Sequence, residues 1–297
     1  MMRRSLLTYI LLVFVLTYSI EGLVYILGGL QVFSIIASLV MLLPAISAII
    51  VWAVFYRDYT FWKFFGLRLG KIKYWFILPI MMLMTMIIIY LVSYILNPDQ
   101  FLNSSELQHR MKDIFIVIPG VPALMSLLIP LALNLTVGIA FSIIAYLGEE
   151  LGWRALMYPQ LIKLGLTKGL IIGGIIWGLW HLPLILMGHN YPNHPIIGNI
   201  MMILMCIPMG IILYYAYIKS GNIFVPAIMH GILNQFSSTI TTFSIKTSEF
   251  SPLLYGSTGL VGIVILSLVA LFLIKRIKKL EKISLINFRL TLSFGGS

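Results

Sequence analysis

The 297-residue chain is 60% hydrophobic and only 10% charged, whereas soluble domains carry about 25% charged residues. This composition excludes a soluble protein, which needs a polar surface, and favours a bilayer, whose lipid tails cover apolar side chains. The net charge of +11 does not indicate nucleic acid, because the basic residues flank apolar runs. The single cysteine, Cys206, excludes an intramolecular disulfide and a Cys-rich metal site, and we expect it to be a small buried residue.

Eight apolar runs reach, or come close to, the roughly 20 residues with which a helix crosses a bilayer. In chain order they are 5–28, 32–56, 75–96, 121–148, 169–187, 197–218, 223–243 and 258–274. The first run follows Arg3 and Arg4 and has no convincing small-residue cleavage site, so we predict a membrane span rather than a signal peptide. The predicted fold is therefore all-α, with one polytopic transmembrane domain over residues 1–297.

The positions of the Lys and Arg residues predict the orientation, because these residues concentrate in cytoplasmic loops. With the N-terminus in the cytoplasm, sixteen of the twenty fall on that side. Arg110, Lys112 and Lys246 fall on the far side, and Arg154 lies at the edge of a span. We predict a multi-pass integral membrane protein with both termini cytoplasmic. The basic tail, residues 275–297, is expected to anchor the chain beside anionic headgroups.

Strongly polar side chains at membrane depth are costly and usually functional. In the second half of the predicted domain they fall into three motifs, on the fourth, fifth and seventh predicted spans. These motifs are Glu149-Glu150-Leu-Gly-Trp-Arg154, Trp177-Gly-Leu-Trp-His181 and His230-Gly-Ile-Leu-Asn234. Each motif alone also fits a structural role, as a solvated glutamate pair, a packed histidine or an asparagine between helices. Their convergence favours a functional site.

Residues four apart share one face of a helix. This spacing predicts that Glu150 pairs with Arg154 and that His230 lies beside Asn234. It also predicts that the Trp177 side chain stands over His181, where it can fix the histidine ring and shield it from lipid. Two adjacent carboxylates repel each other in a poorly hydrated site, so we expect one glutamate to be a structural partner of Arg154 and the other to exchange protons.

Other candidates are weaker. Glu21, in the first span, fits either a cavity lining or a contact with a neighbouring helix. His189 and His194 lie in a short polar segment that we predict to be an exposed loop rather than a metal site. Glycines at a spacing of four in the fifth span predict close helix packing, not a phosphate loop; they are Gly169, Gly173, Gly174 and Gly178.

The three motifs, in this order on late spans, resemble those of the CAAX-processing and bacteriocin-processing protease family, which includes the type II CAAX prenyl endopeptidases. The resemblance covers roughly residues 120–245 and implies about eight helices that enclose an intramembrane active-site cavity. It also implies an intramembrane endopeptidase of the glutamic type. Trp177 stands where many members have Phe, a departure that preserves an aromatic wall.

The resemblance also implies a role for each motif residue. Glu149 resembles the general base that activates water, and His181 resembles the histidine that shares this water. His230 and Asn234 resemble the residues that stabilise the oxyanion. Supporting roles fall to Glu150, Arg154 and Trp177.

Peptide hydrolysis needs a base for water, donors for the oxyanion and a proton route to the amine, and these residue types provide all three. The same types leave a second mechanism open, in which Glu149, His181 and His230 hold a zinc ion with water in the fourth position. The resemblance favours the mechanism without a metal or other cofactor.

Two further classes of function remain open from the residues alone. One is a non-catalytic immunity or scaffold protein of the same fold, and the other is a proton-coupled transporter, although no repeat between the two halves is apparent. The predicted partners are the lipid bilayer and a peptide or protein substrate. Prenylated CAAX proteins, a pheromone or bacteriocin precursor and a regulated membrane protein all fit as substrates.

Overall fold

The computed structural model describes residues 2–113, 122–246 and 250–294. Within these residues the chain is helical, and the only β feature is an isolated antiparallel bridge between Phe101 and Ile245. The all-α prediction is confirmed. Residue 121, where the fourth span was predicted to begin, and residues 295–297 of the predicted basic tail lie outside the described residues.

Fourteen α-helices occur in the described part of the chain, joined by turns, two π-helical segments and two short 3₁₀ segments. The α-helices are α1 (Met2–Leu27), α2 (Leu30–Val40), α3 (Leu43–Phe55), α4 (Phe61–Phe64), α5 (Tyr74–Leu96), α6 (Ser104–Asp113), α7 (Ala123–Leu133), α8 (Ile139–Glu150), α9 (Tyr158–Leu161), α10 (Leu166–Trp180), α11 (Leu182–Leu186), α12 (Pro195–Ser220), α13 (Phe224–Ser244) and α14 (Leu260–Phe294).

Six stretches in the described residues are long and apolar enough to cross a membrane, so the polytopic prediction is confirmed. They are Arg4–Leu27, Leu30–Phe55, Tyr74–Leu96, Met125–Leu164, Pro195–Ser220 and Leu260–Lys279. The other two predicted spans correspond to α10, which is too short, and to α13, whose sequence contains His230, Asn234 and several Ser and Thr residues. The number of eight membrane spans stays a prediction.

Several predicted spans are interrupted, which apolar runs alone do not reveal. The second one divides at Met41 and Leu42, because Pro44 begins a new helix, α3, where its missing N–H costs no hydrogen bond. The fourth continues beyond its predicted end through a π-helical segment, Leu151–Met157, to α9. The fifth breaks at His181, between α10 and α11.

Hydrogen bonds at the two ends of the helices show how the chain runs. At one end the hydroxyl groups of Ser5 and of Tyr56, the residue that follows α3, lie 2.7 Å apart, and Ser5 donates to Gln160 of α9. The connection after α3 also reaches the end of α12, since Ile223 N–H donates to the carbonyl of Gly66. At the other end Lys246 N–H donates to the carbonyl of Gln100. The segments before α1, after α3, after α9 and after α12 therefore share one end, the arrangement that the positive-residue pattern predicts. The side of the membrane on which this end lies stays a prediction.

Close packing of α10 on α12 confirms the interpretation of the fifth-span glycines. A Cβ atom at Gly178 would lie 2.9 Å from the Ile203 side chain, and one at Gly174 would collide with the backbone of Ile207. Cys206 lies beside this contact and is fully buried, as predicted. The tight contact fixes α10, which ends next to His181, against α12.

Candidate active site

Glu149 and Glu150 end α8, and both side chains are buried. Two glycines flank the pair and let other helices approach it. A Cβ atom at Gly148 would collide with the carbonyl of Met41, at the break between α2 and α3, and one at Gly152 would collide with the Tyr9 hydroxyl of α1. The backbone then enters the π-helical segment, a wider turn that often occurs at functional sites. The sequence thus places both carboxylates at a crowded helix junction.

Glu150 joins the first motif to the third. Its Oε2 atom lies 3.1 Å from Nε of Arg154, and both side chains are fully buried. Its Oε1 atom lies 3.0 Å from Nδ1 of His230 on α13. The predicted Glu150–Arg154 pair is confirmed, and the bond to His230, from a residue 80 positions later, is an addition that spacing does not predict. With Nδ1 of His230 directed at Glu150, Nε2 is the ring atom left for other partners.

Glu149 is held by two indoles. Its Oε2 atom accepts hydrogen bonds from Nε1 of Trp177 at 2.8 Å and from Nε1 of Trp153 at 3.3 Å. Trp177 comes from α10, whereas Trp153 lies one turn after Glu149 in the same helical stretch. The two neighbouring glutamates therefore have separate partners: Glu150 contacts cationic or titratable groups, and Glu149 contacts neutral N–H donors.

Trp177 contacts all three motifs. The guanidinium carbon of Arg154 lies 4.1 Å from the centroid of its ring, a cation–π distance, and the ring of His230 meets it edge-on at 5.6 Å. Its backbone carbonyl lies 2.9 Å from Nδ1 of His181. The prediction that Trp177 fixes His181 is confirmed in part: the carbonyl makes the contact, and the ring centroids are 6.0 Å apart, while the indole N–H serves Glu149.

His181 caps the C-terminus of α10 and is partly exposed. A backbone carbonyl can only accept, so Nδ1 carries the proton in this hydrogen bond. In the neutral ring Nε2 is then an acceptor, and it is free to bind a water molecule. The break between α10 and α11 thus presents an imidazole with a defined tautomer.

Asn234 lies one turn after His230 on α13 and is partly buried. Its side chain forms no hydrogen bond with any other residue in the described ranges. The structure therefore places Asn234 next to the cluster in the helix but does not join it to the other motif residues. An amide without an internal partner is available to a ligand.

Aromatic side chains that the sequence analysis assigned no role complete the cluster. The Tyr146 ring packs 5.3 Å from that of His230. Trp180 packs edge-on against His181 at 4.8 Å and donates its indole N–H to Thr17 of α1. Trp153 could have been found from its spacing of four after Glu149, whereas the contact from α1 has no sequence signal.

In the alternative mechanism a zinc ion would be held by the side chains of Glu149, His181 and His230. Within the residues that the structure describes, no group of three His, Cys, Asp or Glu side chains is placed to hold a metal ion. The three residues do not fit a common metal in this arrangement, and the mechanism without a metal stays a prediction.

A groove of about 410 Å³ lies between α5, α8 and α13. Apolar side chains from α5, α8 and α13 dominate its lining; the full lining is Trp75, Leu135, Thr136, Ile139, Ala140, Ile143, Phe224 and Ile228. None of these is a predicted site residue. The enclosed active-site cavity therefore stays a prediction.

The remaining candidates have different surroundings. His194 is exposed, as predicted, but the exposed-loop prediction is wrong for His189, which is partly buried and packs 6.1 Å from the Phe33 ring. This happens because the loop folds back, with His189 N–H donating to the carbonyl of Leu184, and burial lowers the pKa of His189. Glu21 is buried, and its Oε2 atom has no hydrogen-bond partner among the described residues.

Comparison with known proteins gives a family match over this part of the chain. Residues 131–236 match the family model described as type II CAAX prenyl endopeptidase Rce1-like. That range contains all seven predicted site residues. The resemblance is confirmed. The Rce1-like segment lies inside the predicted core, 120–245.

A curated relative agrees with the family match. The chain is 36% identical over 92 residues to a protein named CAAX prenyl protease 2 from Methanococcus maripaludis. The alignment covers 29% of this chain and 34% of the relative, so the chain spans about a third of the length of the curated relative.

Proposed function

We propose that this protein is an intramembrane endopeptidase in which Glu149 activates the water that attacks a peptide bond. One observation carries the proposal: three motifs on separate helices meet in a single buried polar cluster inside the Rce1-like segment. Buried ionisable groups are costly in a membrane, and a purely structural protein would need no such set.

The proposed reaction assigns one role to each group. Water donates a proton to Glu149 while its oxygen attacks the carbonyl carbon, and Nε2 of His181 accepts the second water hydrogen bond. The resulting oxyanion is stabilised by His230 and Asn234. The C–N bond then breaks as the proton held by Glu149 passes to the leaving amine.

The geometry supports this division of labour. The Glu150 carboxylate is occupied by Arg154 and His230, which leaves Glu149 as the carboxylate without a charged partner within hydrogen-bond distance. If both ring nitrogens of His230 carry protons, Nδ1–H binds Glu150 and Nε2–H remains for the oxyanion. The Asn234 amide can donate beside it. No metal or other cofactor takes part in the proposed mechanism.

The proposed substrate is a protein or peptide whose cleavage site reaches the membrane, and the family match favours a prenylated CAAX sequence. The proposed environment is a bilayer with both termini of the chain in the cytoplasm. A lipid-modified substrate suits a site carried by membrane-spanning helices, because its anchor already concentrates it there.

The test uses purified full-length protein in lipid nanodiscs with a quenched fluorescent CAAX peptide, farnesylated or unmodified. We expect cleavage of the farnesylated peptide, and a loss of roughly 10²–10⁴-fold for Glu149→Gln, the range for removal of a general base. The glutamine can still accept the two indole hydrogen bonds, so folding should survive.

His194→Ala is the matched control, because this histidine is exposed and outside the cluster; it should cleave like the wild type. Normal cleavage by Glu149→Gln would refute the role of the base. Cleavage of neither peptide by folded wild-type protein would refute the proposed substrate class.

A further inference from the structure

Trp177 occupies a position in the cluster that the proposed reaction does not itself use. Its indole N–H donates to Glu149, and its backbone carbonyl contacts Nδ1 of His181. The face of its ring lies against Arg154, and the ring is nearly perpendicular to that of His230. The side chain is only 2% exposed, so these contacts are made away from bulk water. One residue thus orients both groups that the proposed mechanism assigns to the attacking water.

We propose that Trp177 is a positioning residue whose indole N–H favours the charged form of Glu149 and fixes which of its oxygens faces the water. Burial opposes that form, and the ionisable groups of Tyr9, Glu150, Arg154 and His230 also face Glu149. None of these four groups changes between the variants that are compared. This inference rests on the proposed function, because it concerns the same base. A phenylalanine ring at this position would keep most of the aromatic packing but would lack the N–H.

The chemistry of the contact gives the direction of the effect. An indole N–H only donates, and a hydrogen bond to the charged form of a carboxyl group favours that form. The bond from Trp177 measures 2.8 Å, whereas the bond from Trp153 measures 3.3 Å. Both reach Oε2, so Oε1 is left for a water molecule, and Trp177 makes the stronger contribution.

The protonation of Glu149 can be followed without any substrate. Infrared spectra of the protein in nanodiscs contain the carbonyl band of each protonated carboxyl group, and subtraction of the Glu149→Gln spectrum isolates the band of Glu149. In Trp177→Phe we expect the midpoint of this band to move to higher pH by roughly one to two pH units, the value of one hydrogen bond to a charged group. Trp153→Phe should move it less.

Trp52→Phe is the matched control, because its indole N–H donates to the carbonyl of Tyr59 at 3.2 Å, outside the cluster; its midpoint should equal that of the wild type. An unchanged midpoint in folded Trp177→Phe would overturn the inference, whether or not the protein cleaves peptides. In a cleaving enzyme, the acidic limb of the pH–rate profile should move with the midpoint. If the wild type cleaves nothing but the midpoint moves, the proposed function fails while the contact between Trp177 and Glu149 stands.

Discussion

Nδ1 of His230 lies 3.0 Å from Oε1 of Glu150, and both side chains are almost completely buried. This contact joins α13 to the end of α8 and connects to Arg154 through the other carboxylate oxygen. Glu150 therefore shares its charge between two partners from different motifs. Glu150 thus joins two motifs, whereas Glu149 accepts hydrogen bonds from the indole N–H groups of Trp153 and Trp177.

Arg154→Ala should destabilise the fold. The substitution leaves Glu150 buried without its guanidinium partner, and breaking a buried pair in this way costs roughly 3–5 kcal/mol. We expect a clearly lower midpoint of thermal unfolding in detergent, together with lost cleavage. Lys246→Ala is the control, because it removes a bridge to Glu106 that is partly exposed and worth about 1 kcal/mol or less. Equal effects of the two variants would contradict this account of Arg154.

Asn234→Ala should separate activity from stability. The side chain has no hydrogen-bond partner in the described part of the chain, so its removal should leave thermal unfolding close to that of the wild type. If it donates to the oxyanion, cleavage should fall by roughly 10²–10³-fold. Steady-state kinetics should place the loss in kcat rather than KM. Full activity of this variant would remove Asn234 from the proposed site.

Gly148→Ala should disturb the junction that carries both glutamates. The added Cβ would meet the carbonyl of Met41 and lie 2.9 Å from Cα of Leu42, so α8 must move away from the α2–α3 break. We expect reduced thermal stability and, because Glu149 is the next residue, reduced cleavage. Gly22→Ala is the control, since nothing lies within 4 Å of a Cβ there. A harmless Gly148→Ala would show that the junction is looser than the structure indicates.

Chelation tests the mechanism without a metal. Protein treated with a strong divalent chelator should keep its cleavage rate, because Glu149, His181 and His230 do not share a metal-binding point. The rate is measured before and after chelation, with the bound metal quantified in parallel. Loss of activity that zinc specifically restores would establish a metal-dependent enzyme instead.

Reporter fusions test the orientation. The bias of Lys and Arg residues predicts that fusions after residues 65 and 280 report the cytoplasm and that a fusion near residue 105 reports the opposite side. In the structure Gly66 lies at the same end of the helices as the start of α13. Gln100 contacts Lys246 at the other end. Opposite results at two of the three positions would refute the eight-span topology.

The sequence alone predicted the membrane fold, because long apolar runs leave the chain no other way to cover its surface. It also predicted pairs within one helix, such as Glu150 with Arg154, since a spacing of four residues fixes a shared face. The close packing of the glycines of α10 followed for the same reason: it depends on local geometry and residue size.

Only the tertiary structure decided how the helices meet. The bonds from His230 to Glu150 and from Trp177 to Glu149 cross between helices, and their partners depend on the rotation and depth of each helix. The fold of His189 back toward Phe33 depends likewise on packing. Periodicity fixes which side chains share a helix face, but it carries no information about which face of another helix lies opposite. The pairing of helix faces is what gives Glu149 and Glu150 different surroundings.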